Sequence, residues 1–352
     1  MFLATAFMIG AATASVLGLV RAILIIGWGW TSFLCWRFLS GKASRLYFLI
    51  LPAALIGALY YHGYVISYEK IAGFFTGSIF QSVKGALVSF KYQLEFHIER
   101  VLNSQQAAFM NGLILGERGK FSSVFREALR LSGTTHLIAL SGYNITIVIW
   151  ALSGAFKRFF AERMVFILTV IGIVSFVIMT GGEASVVRAA IMAGLVLFAE
   201  RIKRPYSGQN ALAAAALAMT IANPRVIVFD WGFQLSFAAV IGLMYIRPRL
   251  KKIFKDGPGF LAWRENLITT SSAQLAVLPL LIWHFGFVSP LSLIANVLVL
   301  EAIPLTMLMG FLIAFTGFFS YWLSLIFGWG ASALLGYEIF IIELFAKLSS
   351  WL

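Results

Sequence analysis

Residues 112–150, GLILGERGKFSSVFREALRLSGTTHLIALSGYNITIVIW, decide how the rest of the chain is read. The stretch starts as a polar, glycine-punctuated loop carrying Glu117, Arg118, Lys120, Arg126, Glu127 and Arg130. It then enters a hydrophobic helix in which Ser132, Thr134, Thr135, His136, Ser141 and Asn144 sit among Leu, Ile and Ala. Further hydrophobic segments follow it and repeat the theme. Polar groups inside apolar helices indicate a membrane protein that handles something polar within the bilayer.

Composition agrees. The chain has 352 residues, of which 61% are hydrophobic and 12% charged, and its mean hydropathy is +0.91. A soluble chain of this size carries roughly 25% charged residues. Membrane strands alternate every second residue, whereas these apolar runs are continuous over helix-spanning lengths. Only helices satisfy their own backbone groups across hydrocarbon under those conditions. The expected fold is an all-α polytopic membrane protein. It comprises a bundle of about 10–11 transmembrane helices, some interrupted, with an extracytoplasmic amphipathic helix.

The formal net charge is +13, from 27 Lys and Arg against 14 acids. Most of that excess is the ordinary basic bias of cytoplasmic loops; the remainder suits a polyanionic substrate. Cys35 is alone, so no intrachain disulfide exists. The opening MFLATAFMIG lacks a basic n-region and reads as a retained anchor.

Three regions follow in order: N-terminal transmembrane segments at 1–64, an amphipathic region at 65–104, and a channel-like core at 105–346. Residues 2–20 and 22–36 form two short spans or one long tilted helix. Arg37, Lys42 and Arg45 make a basic loop before a span at 47–64. Ile79, Val83, Leu87, Phe90, Leu94, Ile98 and Val101 recur at spacings of 4, 4, 3, 4, 4 and 3, which is one stripe of a helix. Lys84, Lys91 and Glu95 are expected on its other faces. A helix lying on the membrane or on the bundle fits this better than a dimerising coiled coil.

Candidate spans then cover 137–156, 164–181, 184–200, 209–225, 231–246, 267–284, 289–318 and 322–346. Basic clusters separate them in pairs: Lys157, Arg158 and Arg163; Arg201, Lys203 and Arg204; and Arg247, Arg249, Lys251, Lys252, Lys255 and Arg264. Positive-inside counting puts these loops and Arg37–Arg45 in the cytoplasm, with residues 65–136 and the C-terminus outside.

Five spans carry polar groups at membrane depth: His136 and Asn144; Glu183 and Arg188; Asp230, Gln234 and Ser236; Gln274 and His284; Asn296 and Glu301. Amides commonly glue helices together, and a serine bonds its own backbone. Arg188 is the most informative, because a guanidinium keeps its proton and needs an acid, water or a phosphate. Glu183, five residues earlier, is a candidate local partner. Pro279, Pro290 and Pro304 with Gly286 mark breaks or kinks.

Several chemistries are excluded. The four His stand apart with no HxH, HExxH or CxxC, so no metal centre or other cofactor is readable. No P-loop is present. Ser141 has Ala139 two residues before it, outside the nucleophile-elbow frame. His136 and Ser141 lie roughly 140° apart around a helix, which disfavours an intramembrane hydrolase. The expectation is a protein that is not an enzyme.

These residues resemble the ComEC-type competence channel family, inner-membrane proteins that pass transforming DNA into the bacterial cytoplasm. The resemblance runs through LILGERGKF, FREALRLSGTTHLIALSGYN, GGEASVVRAAIMAGLVLFAERIKRP, ANPRVIVFDWGFQLSFAAVIGL, AQLAVLPLLIWHFGFVSPLSLIANVLVL and IPLTMLMGF, over about residues 105–320. Tyr143-Asn144 stands where many relatives have Leu-His, and Glu301 where proline is expected. Family members often carry an outer OB-fold domain and a metallo-β-lactamase-like nuclease domain, and neither is readable here. A minimal member or a core fragment is the expectation, and the family's strand-degrading activity is not carried over.

The resemblance implies a conduit for single-stranded DNA in the cytoplasmic (inner) membrane. It implies a DNA receptor outside, a separate nuclease and a cytoplasmic motor as partners. Its path would run along His136, Ser141, Asn144, Arg188, Gln234, Gln274, Asn296 and Glu301. Arg118, Lys120, Arg126 and Arg130 would gather phosphates at the outer mouth, and Arg247, Arg249, Lys251, Lys252 and Lys255 would attract the emerging strand. Two other readings remain open. One is a small-solute or ion transporter using Glu183, Arg188 and Glu301; the other is a scaffold whose buried polar groups are helix glue.

Overall fold

A computed structural model describes residues 2–19, 21–23, 25–26, 29–30, 50–75, 78–117, 119–138, 142–253, 263–285 and 291–350. They form helices, and no strand occurs among them. The protein is an all-α polytopic membrane protein. Helices α1 (Phe2–Leu17) and α2 (Ile50–Phe75) pack side by side. Gly10 and Gly57 set their separation: a Cβ on either would collide with the carbonyl of Ala54 or Phe7. Small residues let the backbones approach, as membrane helices require when no hydrophobic force draws them together. Helix α1 ends where Gly18 takes φ +76°.

Helices α3 (Ser78–Glu99), α4 (Ser104–Leu115) and α5 (Ser123–Leu131) follow. Asn103 and Ser122 cap α4 and α5 by accepting the N–H groups of Gln106 and Phe125. Ten of the twelve residues of α4 are buried, and Phe109, Met110, Leu113 and Ile114 form the centre of the main core.

The remaining elements are α6 (Gly142–Lys157), α7 (Glu162–Met179), α8 (Ala184–Arg201), α9 (Gly208–Ala222), the single turn α10 (Val226–Phe229), α11 (Trp231–Tyr245), α12 (Arg247–Ile253), α13 (Trp263–Phe285), α14 (Ser292–Thr316) and α15 (Tyr321–Ser349). Among the described residues, four helices are long and apolar enough to cross a membrane: α7, α13, α14 and α15. Shorter apolar helices lie within α1, α2, α6, α9 and α11. Pro279 and Pro304 lie inside α13 and α14, which continue through them. Gly286 and Pro290 fall outside the described residues, as does the basic loop Arg37–Arg45.

Helices α14 and α15 form an antiparallel hairpin, and α3 packs against it. Of its stripe, Leu94 and Ile98 are buried and Leu87 and Val101 pack against the core, while Val83 is 48% exposed. Glu95, expected on another face, is itself buried because it meets the 116–122 loop. Phe90 stacks on Phe318, and His97 packs edge-on against the same ring at the hairpin turn. Gly133 meets Ser292 at the hairpin's other end. The 25 residues of α14 are about 37 Å long. Described residues between 90 and 133 thus meet both ends of the hairpin.

Candidate functional site

Five helices adjoin in sequence around the polar groups: α6 packs on α8, α8 on α11, α11 on α13, and α13 on α14. Asn144 closes the arc. Its Nδ2 donates to the Leu113 carbonyl at 2.6 Å and ties the start of α6 to α4, which packs on α14.

Arg188 is the unusual member. It is 8% exposed, and its Nη1 donates to the Ser236 carbonyl at 2.9 Å across the α8–α11 contact. Phe237 lies under the guanidinium, 5.9 Å from ring centroid to Cζ. Its Nε has no partner within the protein. No carboxylate of the described residues lies within ion-pair distance; Glu183 instead sits at the N-cap position of α8. A buried guanidinium with five donors and one carbonyl is an incomplete site by the ordinary rules of desolvation.

Neighbouring helices show the same shortfall. Gln274 donates Nε2 to Ser292 Oγ at 2.6 Å, leaving Oε1 without a protein partner. Ser236 Oγ and Asn296 Oδ1 are likewise buried and unpaired. Of nine such orphaned atoms among the described residues, four lie on α8, α11, α13 and α14, and the other five on other elements.

The other predicted path residues have different surroundings. Gln234 donates to the carbonyls of Ile227 and Val228, 2.9 Å each, and so holds the α10 turn. Glu301 lies on the exposed face of α14 with Ile294, Leu298, Leu305 and Leu308. The backbone of His136 belongs to a 3-10 turn, Thr135–Leu137. Its side chain, that of His284, and Ser141 lie outside the described residues. Beside that turn, buried Ser132 and Thr134 join hydroxyls at 2.7 Å.

The basic groups assigned to the two mouths are mostly engaged. Lys120 bridges Glu95 at 2.8 Å and Glu99 at 2.5 Å. Burial opposes its charge, yet the hydrogen bonds to Glu95 and Glu99 outweigh it and raise its pKa. Lys91 donates to Glu117 at 2.9 Å, and that bond holds the Glu117 carboxyl below its usual pKa against the effect of burial. Arg130 pairs with Glu127 through two bonds. Arg126 donates to the Phe121 carbonyl at 3.2 Å, and Arg118 lies outside the described residues. At the other loop, Arg247 and Lys251 share Glu265 at 2.7 Å each, and Arg249 donates to the Tyr245 carbonyl. Lys252 is exposed, and Lys255 lies outside the described residues.

The structure adds one group that sequence reading passed over. Glu338 is fully buried in α15, where Oε1 lies 2.6 Å from Thr306 Oγ1 of α14 and Oε2 has no partner. Its signal was an acid near the middle of an apolar helix. No grouping of His, Cys, Asp and Glu suited to a metal occurs among the described residues.

Comparison with known proteins agrees with this architecture. ComE operon protein 3 of Bacillus subtilis (strain 168) is 28% identical over 258 residues, covering 68% of this chain. The chain spans about a third of that relative's length, since the alignment covers 32% of it. No solved structure matches the chain. A family profile described as "Competence protein" matches residues 113–352, from the end of α4 through α15, and the chain belongs to that family.

Proposed function

We propose that the protein is a passive conduit for single-stranded transforming DNA in the bacterial cytoplasmic membrane. The observation that carries the reading is Arg188, a buried cation with no acid partner among the described residues, bonded to Ser236, whose hydroxyl is buried without a protein partner. A polyphosphate crossing about 30 Å of hydrocarbon needs a wet, polar path of modest positive potential. One cation with several amides and rings gives weak, repeated, sequence-tolerant contacts that do not stall the strand. Family membership and the relative's similarity support the same reading.

In this account the chain conducts the strand and does not cleave it. A receptor presents DNA outside, a separate nuclease supplies single strands, and a cytoplasmic motor supplies the driving force. The basic loops at 157–163, 201–204 and 247–264 face the cytoplasm by the positive-inside rule. The corner between α9 and α11 then faces outward.

The test is transformation frequency in a competent host lacking its own channel core, complemented by this chain with and without a co-expressed nuclease. Rescue by the wild type and none by an equally abundant, inserted Arg188→Ala protein is the expected result. Normal rescue by Arg188→Ala would remove that residue from the path. Failure of the wild type, with substrate-dependent ion flux in its place, would favour the small-anion reading of the same cation.

A further inference from the structure

A groove of about 490 Å³ opens at the corner where α9, α10 and α11 meet, lined by Asn223, Arg225, Phe229, Asp230, Trp231 and Gly232. The corner is held by its own hydrogen bonds. Asn223 Oδ1 accepts the Arg225 N–H, Asp230 Oδ1 caps α11 at the Phe233 N–H, and Gln234 ties down two carbonyls of α10. What this fixed corner displays is cationic and aromatic. Arg225 is exposed, with no carboxylate of the described residues within ion-pair distance. Phe229 is 60% exposed.

The groove also leads somewhere. Gly232 of α11 packs against Ala184 of α8 at this corner, and Arg188 bonds Ser236 on the same helix pair. Each is four residues further along, a rise of about 6 Å. Arg225 thus lines the groove beside Gly232, and Arg188 lies buried further along the helix pair to which Gly232 belongs.

We propose that the groove at residues 223–232 is an entry subsite for one nucleotide of a single strand, with Arg225 on the phosphate and Phe229 and Trp231 on the base. A ring takes any base by stacking, and a guanidinium takes any phosphate, so the contact is indifferent to sequence. Asp230 does not repel the strand at close range, because its carboxylate faces the N-terminus of α11. The proposal rests on the conduit reading and names where the strand first engages it.

The experiment measures binding of a labelled 20-mer of dT to the full chain in nanodiscs of fixed lipid composition, by fluorescence anisotropy. Arg225→Gln and Phe229→Ala alter exposed side chains, and thermal unfolding checks that both variants fold as the wild type does. Each is expected to weaken binding about tenfold. Arg225→Gln lowers the slope of log Kd against log salt by about 0.7. Phe229→Ala leaves that slope unchanged but removes the preference for dT over an abasic strand of equal length. Wild-type affinity in both variants overturns the subsite and leaves the conduit standing. Absence of binding by the wild type overturns both. Unchanged DNA affinity together with loss of co-purifying anionic lipid makes the corner a lipid-headgroup anchor and overturns the proposal.

Discussion

Arg188 and Glu338 are both ionisable, both buried and both inside apolar helices, yet their surroundings differ in kind. Arg188 meets a carbonyl and an aromatic face, and the hydroxyl of Ser236, whose carbonyl it bonds, is buried without a protein partner. Replacing a buried ion pair by apolar side chains of similar size is often neutral or stabilising by about 1–4 kcal/mol, and Arg188 carries the desolvation cost with no carboxylate of the described residues to offset it. Arg188→Met should therefore unfold in detergent at a temperature no lower than the wild type while failing to restore transformation. If Arg188 were helix glue, the same variant would lose stability and keep function. Glu338 lies between α14 and α15 and accepts a hydrogen bond from Thr306, its hydrogen-bond partner among the described residues. Glu338→Gln preserves an oxygen for that contact and should shift stability by less than about 1 kcal/mol. Glu338→Ala should cost about 2–4 kcal/mol through the cavity it leaves. Equal losses in a denaturation series would contradict this assignment.

At the scale of elements, close approach and local latches make testable points. Gly242 brings α11 onto α13 so closely that an added Cβ would lie 2.6 Å from the Ala276 Cβ and collide with the Ser272 carbonyl. Gly242→Val should force these helices apart and cost about 1–3 kcal/mol, read as a fall in thermal midpoint. The 116–122 loop is latched to α3 through Lys91–Glu117 and Lys120–Glu95. The folded-state pKa of Glu117 is depressed, so its contribution is present above the usual carboxylate pKa and is lost as pH falls through the lower folded value. Protection factors of amides across residues 116–122, taken relative to the intrinsic exchange rate at each pH, should fall on acidification, and Lys91→Ala should flatten that pH dependence. Protection insensitive to both changes would show that the latch does not hold the loop.

Much of this element structure was legible in the sequence because apolar length and periodicity report helices directly. The spans at 164–181, 184–200 and 231–246 became α7, α8 and α11 within a few residues. Burial of α4 was not legible, since a short helix surrounded by core shows no periodic face: ten of its twelve residues are covered. Nor was the pairing of Lys120 with Glu95, which depends on partners 25 residues apart meeting across a loop. Arg188 was singled out from residue type alone, but its lack of an acid became visible only in three dimensions.

At the scale of the whole molecule, the helices divide by packing. Helices α3 to α5 with α14 and α15 contribute much of the main core. Helices α8, α9 and α11 share a smaller core around Leu212, Met219, Phe233 and Phe237. Burial in α8 is confined to Val186, Arg188 and Ala189, near its first turns. Among the described residues, buried polar atoms without a protein partner occur in both parts: Glu95, Asn111, Asn296 and Glu338 in the first, Arg188 and Ser236 in the second.

The most direct measurement is strand entry into proteoliposomes that hold the purified chain and enclose an exonuclease. A labelled single strand supplied outside, at a concentration well above that inside, is digested only if it crosses the bilayer. The account predicts digestion that requires the protein, rises with its amount and is lost with Arg188→Met. Intact external strand alongside folded, inserted wild-type protein, at the level of empty liposomes, would contradict it.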